Sequence, residues 1–312
     1  MTLSIEAQLT AWYAASARDL PWRRPGTGAW PILVSEVMLQ QTPVARVLPA
    51  YHDWLARWPT PAALAAATPA DAVRQWGSLG YPRRAIRLHA AAQTIAGGHD
   101  GDVPRTLAEL LALPGVGSYT AAAVASFAYG QRHPVLDTNV RRVLARIADG
   151  REHPAGSSAS VAETELARSL LPPAEGNRSA RWSVALMELG ALVCTSARPA
   201  CGDCPVAAQC AWRRIGNPAG PAPRRAQRYE GSDRQARGAI LAALRAATGP
   251  LPPAAIDACW PQPEQRSRVL ASLISDGLVT RLPDGSTALP GDPTAPPSHS
   301  TAPPGDPTAP RA

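Results

Sequence analysis

Lysine is absent from this chain: all 31 of its Lys/Arg-type side chains are arginine. No side-chain amine is therefore available to attack a sugar or carbonyl carbon, which excludes Schiff-base chemistry run from a lysine. No apolar run reaches the roughly 20 residues needed to span a bilayer. Residues 1–9 lack the basic region and apolar core of a secretion signal, so a cytoplasmic protein without membrane contact is expected. Cysteine is scarce, and four of the five fall between Cys194 and Cys210, with Cys259 far away. That crowding in one short stretch argues against a disulfide framework and for metal. Acidic residues are the minority, 24 against 31 basic, and the formal charge of +7 suits a polyanionic partner.

What is present is enough for a large core: 312 residues, 45% of them hydrophobic. Apolar residues recur at helical spacing over 3–18, 32–40, 44–58, 62–67, 70–76, 83–96, 106–111, 118–128, 139–147, 159–170 and 181–193. No useful alternating strand pattern occurs before residue 215, so this part reads as all-α. Thr42-Pro43, Thr60-Pro61 and Thr68-Pro69 each predict an N-cap hydroxyl followed by proline at the first helical position. Residues 215–231 read as a Pro/Gly/Arg-rich linker. Three short helices and a hairpin over 232–289 suggest a small winged-helix-like module. From 290 to 312 the Pro/Thr/Gly/Ser composition, with GDPTAP twice, predicts a disordered tail.

The organising stretch is 113–137, LPGVGSYTAAAVASFAYGQRHPVLD: a helix end, a glycine-punctuated turn, a small-residue helix, then one carboxylate. Gly115 and Gly117 let backbone pass close to another molecule, and the following helix start suits a phosphate. Asp137 precedes a helix, where an N-cap bond and the helix dipole are expected to keep it ionised. Glu36 is flanked by apolar residues; burial there raises a carboxyl pKa and makes a proton donor, whereas an exposed face makes it an ordinary surface acid. Two carboxyls with opposed tendencies suit cleavage of a glycosidic bond. Gln40, Gln41 and Tyr81 are flat groups near helix ends or loops, able to insert between bases when a nucleotide is turned out, or simply to face solvent. Cys194-x6-Cys201-x2-Cys204-x5-Cys210 can encircle a [4Fe–4S] cluster or a zinc ion. The uneven spacing favours the cluster. Cys259 reads as a buried small hydrophobe.

Taken in order, SEVMLQQT (35–42), GSLGYPRRA (77–85), LPGVGSYTA (113–121), VLDTNV (135–140) and the cysteine spacing resemble the helix-hairpin-helix-GPD DNA glycosylases. Within them the sequence is most similar to the MutY-type, A/G-mismatch adenine branch. The resemblance covers about residues 5–214. It implies an all-α, two-lobed fold: an iron–sulfur lobe from 1–21 and 135–214, and a six-helix lobe from 22–134. It further implies that Glu36 protonates adenine near N7 and that Asp137 stabilises or captures the sugar cation. Gly115 and Gly117 would hold a phosphate, with Leu113, Val116 and Asn139 also in the DNA-binding set. Gln40, Gln41 and Tyr81 would take wedge positions, and Arg18, Trp22 and Arg23 would line the adenine pocket. Cys194, Cys201, Cys204 and Cys210 would carry the [4Fe–4S] cluster.

Tyr119 occupies the position where bifunctional relatives place a lysine, so a monofunctional enzyme is implied, acting as a monomer on A:8-oxoguanine or A:G duplexes. Two departures stand out. Val184 lies where many adenine glycosylases carry Gln or Glu, and 232–289 is too short and too helical for the usual 8-oxoguanine-reading domain. The catalytic part is expected to keep its activity when residues 229–312 are removed. A thymine-mismatch glycosylase and a non-catalytic iron–sulfur DNA-binding regulator are the alternative readings.

Overall fold

The computed structural model describes residues 3–173, 175–220 and 228–292. Its helices are α1 (Ile5–Ser16), α2 (Ala29–Leu39), α3 (Val44–Arg57), α4 (Pro61–Ala65), α5 (Pro69–Trp76), α6 (Arg83–Gly98), α7 (Leu107–Ala112) and α8 (Ser118–Tyr129). After them come α9 (Thr138–Ile147), α10 (Val161–Leu170), α11 (Arg178–Leu192), α12 (Ala211–Arg214), α13 (Asp233–Ala246), α14 (Pro253–Ala258) and α15 (Pro263–Ser275). β1 (Thr280–Arg281) and β2 (Thr287–Ala288) pair antiparallel, and Leu251 adds a bridge to Thr287. No described helix is long and apolar enough to cross a membrane.

Local chemistry explains most boundaries. Thr68 and Thr106 open α5 and α7 with reciprocal capping boxes to Asp71 and Glu109. Ser160 does the same for α10 with Glu163, two residues later than its apolar pattern suggested. The Thr-Pro expectation fails at α3, where Pro43 itself is the N-cap and Thr42 donates to the Gln40 carbonyl instead. α2 starts at Ala29, earlier than expected, because Pro31 sits within its first turn, where a missing N–H costs nothing. Gly97 and Gly98 extend α6 rather than ending it. α11 likewise begins three residues early, after left-handed Asn177.

The described residues group into two compact units, one within 1–65 and 90–226, the other within 66–89 and 227–312. In the first, α2 is buried on nearly every side, as its mostly apolar sequence requires. It packs against α8, whose small side chains Ala121, Ala123 and Ala125 are fully buried and allow close approach. A second core joins α1, α9 and α11 around Leu9, Val143, Leu186 and Leu189 and continues to Cys210 and Trp212.

In the other unit, α13 packs on α15 and on α5. The predicted module therefore shares a unit with residues 66–89. Ordered chain also runs past the expected start of the tail. Pro290 is buried, and the carboxylate of Asp292 is paired with Arg74 at 2.8 Å. The remainder of the expected tail, 293–312, and residues 221–227 of the expected linker lie outside the described residues. Cys259 is only partly buried, its thiol donating to the Ala255 carbonyl, so it is not the core hydrophobe expected.

Candidate active site and cysteine cavity

Glu36 has no exposed helix face to occupy, because Ser35, Val37 and Met38 around it are buried as well. Its carboxyl accepts a 2.7 Å hydrogen bond from the Tyr119 hydroxyl of α8. Burial pushes its pKa up to about 7, with the negative charge of Asp137 adding to the rise; the Tyr119 bond and the Arg23 charge oppose it. The Tyr119 hydroxyl is itself held well above its ordinary value, by burial first and then by Glu36 and Asp137. It is therefore a permanent donor.

Asp137 caps α9, accepting from the Val140 amide at 2.6 Å and from the Asn139 side-chain amide at 3.2 Å. The cap is as expected, but its electrostatic consequence is not. Burial outweighs the hydrogen bonds and the Arg142 charge, and the carboxyl lies above its ordinary value. Both Glu36 and Asp137 act on Tyr119, so the fold brings the two acids into one electrostatic neighbourhood.

Beside them lies a charge cluster built on Glu188, a fully buried carboxylate on α11. Arg18 embraces it with Nε at 2.7 Å and Nη2 at 2.8 Å, its backbone N–H adds a third bond, and Arg23 Nη1 donates at 2.6 Å. Burial alone would raise Glu188; the two arginines overcome it and take the pKa down to about 2. Between Arg18 and Arg23, Trp22 is buried edge-on against Tyr51. Sequence reasoning missed Glu188, since only its partners' distance of 170 residues in the chain makes it special.

The expected DNA-facing groups divide by exposure. Leu113 and Val116 are packed in the core, while Gly115, Gly117 and Ser118 are exposed. Whatever the hairpin offers a ligand is therefore backbone, not those two apolar side chains. Gly115 takes φ +76°, and Gly117 caps α8 with no side chain over its first-turn amides. The Gln40 amide donates to Thr120 Oγ1 at 3.2 Å, and Gln41 follows it at φ +56°. Tyr81 is half exposed at φ +46°, and belongs to the unit formed by 66–89 and 227–312. Val184 is partly buried, one helical turn before Glu188.

Asn139 faces a second residue that sequence did not flag. A Cβ on Gly190 would stand 2.7 Å from Asn139 Cβ and 3.1 Å from its backbone, so glycine sets how closely α11 approaches α9. Arg142 bonds the Asn139 side chain and the Gly190 carbonyl, both at 2.7 Å, and the Cys194 carbonyl at 2.9 Å.

Cys194, Cys201, Cys204 and Cys210 line one pocket whose other walls include Leu189, Val193, Pro199 and Trp212. Buried Arg146 points Nη1 at Cys194 Sγ, 3.3 Å away, and stacks over the Trp212 ring. A buried cation against a thiol, in an apolar pocket ringed by sulfur, suits anionic thiolates holding an electron-deficient group. Among the described residues no set of His, Cys, Asp and Glu is gathered as a site for a single metal ion.

Comparison with known proteins fits this geometry. Residues 34–168 match the HhH-GPD superfamily of base excision DNA repair proteins. The chain is 53% identical to the adenine DNA glycosylase of Mycolicibacterium smegmatis, over 91% of its own length and 96% of that protein. It is 55% identical to the Mycobacterium tuberculosis enzyme over 92% and 94%. Against the human adenine DNA glycosylase the identity is 42%, over 68% of this chain and 40% of the human one. A thermostable thymine-DNA glycosylase superposes with TM-score 0.61 at 26% identity, covering 67% of this chain and 95% of that one. An endonuclease III structure, at 23% identity and TM-score 0.56, shares the fold. The chain belongs to the HhH-GPD superfamily of base excision DNA repair proteins and, within it, to the adenine DNA glycosylase family.

Proposed function

We propose that this enzyme hydrolyses the N-glycosidic bond of adenine mispaired with 8-oxoguanine or guanine in duplex DNA, leaving an abasic site without cutting the strand. The observation that carries the chemistry is Glu36: a buried carboxyl with a pKa of about 7, fixed by Tyr119. Such a group delivers a proton near neutral pH, which an exposed glutamic acid does not. In this reading Glu36 gives its proton to the flipped adenine at N7. The C1′–N9 bond breaks, its electron pair leaves with the base, and Asp137 faces the oxocarbenium-like sugar. Water then adds to C1′, and the proton it loses returns to the Glu36 carboxylate left by the first step.

Arg18, Trp22 and Arg23 form the adenine side, anchored through Glu188. The exposed backbone of Gly115 and Gly117 takes a phosphate. Gln40, Gln41 and Tyr81 act as wedges. The absence of any lysine supports monofunctional chemistry, because Tyr119 has no amine for sugar attack. The four cysteines would hold a [4Fe–4S] cluster that staples 194–210 together; no step of base removal passes through it. Residues 232–289 are read as winged-helix-like, and the enzyme as a monomer in the cytoplasm with the nucleoid.

The test is a labelled A:8-oxoguanine duplex incubated with the enzyme, then treated with alkali, beside A:G and T:G duplexes. Alkali-dependent breaks on the first two, and no borohydride-trapped adduct, are expected. Preference for T:G would move the protein to the thymine-mismatch reading, and strand breaks without alkali would remove the monofunctional assignment. Purified protein should contain iron and acid-labile sulfide in equal amounts.

A further inference from the structure

The loop Gly77–Tyr81 has an unusual backbone. Gly77 is at φ +55°, Gly80 at φ +85° and Tyr81, an aromatic residue, at φ +46°. Bulky residues hold such angles only where surrounding groups dictate them. Local bonds do part of this: Trp76 Nε1 donates to the Gly80 carbonyl at 2.9 Å, and Arg84 Nη2 to the same oxygen at 3.0 Å. The Arg84 guanidinium also faces the Tyr81 ring, 5.6 Å from its centre.

Residues far along the chain add to this. Arg245, on α13, donates Nη1 to the Gly77 carbonyl at 2.6 Å. Burial lowers the Arg245 pKa, and no nearby carboxylate charge opposes it. A half-buried cation whose hydrogen bond goes to one loop carbonyl is a costly way merely to fill space. Asp276, just after α15, pairs with Arg83 at 3.2 Å and with Arg237 of α13 at 2.5 Å. Asp292 pairs with Arg74, and a Cβ on Gly291 would meet Pro69 at 2.9 Å. The helix before the loop, the loop and the helix after it are thus each tied to residues 228–292. The described part of that segment carries seven arginines and seven acids, a balance unlike a DNA-binding surface.

We propose that residues 228–292 are a brace that holds the Gly77–Tyr81 loop so that the Tyr81 ring is presented to DNA, with Arg245 as the positioning residue. This rests on the wedge assignment of Tyr81 above. The segment would influence base extrusion without itself reading the opposite base.

The test uses the full chain and a duplex with a fluorescent adenine analogue beside the mismatch, whose emission rises on unstacking, together with single-turnover base release. Arg245→Ala should lower the fluorescence rise and the rate about tenfold, the weight of one charge-assisted hydrogen bond, while the melting temperature holds. Arg245→Lys, which keeps a donor, should recover most of both. Tyr81→Ala should show the same loss, and the double variant no more than Tyr81→Ala alone. Additive losses, a full signal in Arg245→Ala, or a fall in melting temperature with no change in emission would each overturn the brace. If Tyr81→Ala keeps the full signal, the wedge assignment falls first and takes the brace with it.

Discussion

At the scale of single residues, the proposed mechanism rests on the protonation of Glu36. A general acid works only while protonated, so with a pKa of about 7 the rate should fall as pH rises through that value. Glu36→Gln should cost about 10²–10⁴-fold in single-turnover base release and remove this limb. Tyr119→Phe deletes a bond that favours the ionised form, so Glu36 should titrate higher and the limb shift to higher pH. A pH–rate profile of each variant reads both effects. Glu188 makes the opposite case. Its folded pKa, about 2, lies below the ordinary 4.5, so its contribution is present above 4.5 and lost as pH falls toward 2. Glu188→Gln leaves two arginines without their buried counter-charge. The expected loss is about 3 kcal/mol in urea unfolding at pH 7, near the lower end for a broken buried pair because Arg18 remains partly exposed.

At the scale of elements, close packing sets where the acids stand. α8 is rich in alanine, which lets α2 approach, and that approach seats Glu36 against Tyr119. The contact between α9 and α11 depends in the same way on Gly190. Gly190→Ala should push Asn139, and with it the Asp137 cap, out of register. Overpacking of this kind costs about 1–3 kcal/mol, and base release should suffer more than the melting temperature indicates. Comparing the two measurements on one preparation checks it; a rate loss no larger than the unfolded fraction explains would count against it. The cap, the turn glycines and the small-residue helix were all legible in the sequence, because each is local. Gly190 was not, because its partner is on another helix.

At the scale of the whole molecule, the sequence-based expectation that residues 229–312 are dispensable meets a physical obstacle. α13 packs on α5, and Arg245, Asp276 and Asp292 bond residues 74–83. Truncation after 228 strips one side from a shared unit, leaving α5 without α13. Hydrogen exchange should show residues 66–89 losing protection in the truncated chain while α2, α8 and α9 keep theirs. Equal protection in both forms would restore the view of a separable appendage.

The sequence by itself determined the all-α character of the first 215 residues, the hairpin, the cysteine grouping, the absence of lysine and the superfamily. Each follows from short-range patterns that a chain carries wherever it folds. Only the tertiary structure decided that Glu36 is buried and protonated near neutrality, that Asp137 is pushed upward despite its cap, and that Arg18 and Arg23 share Glu188. It alone also joined the C-terminal residues to 66–89. Burial and pairing depend on groups that are distant in sequence, and desolvation, the largest influence on both Glu36 and Asp137, exists only once the chain has closed around them.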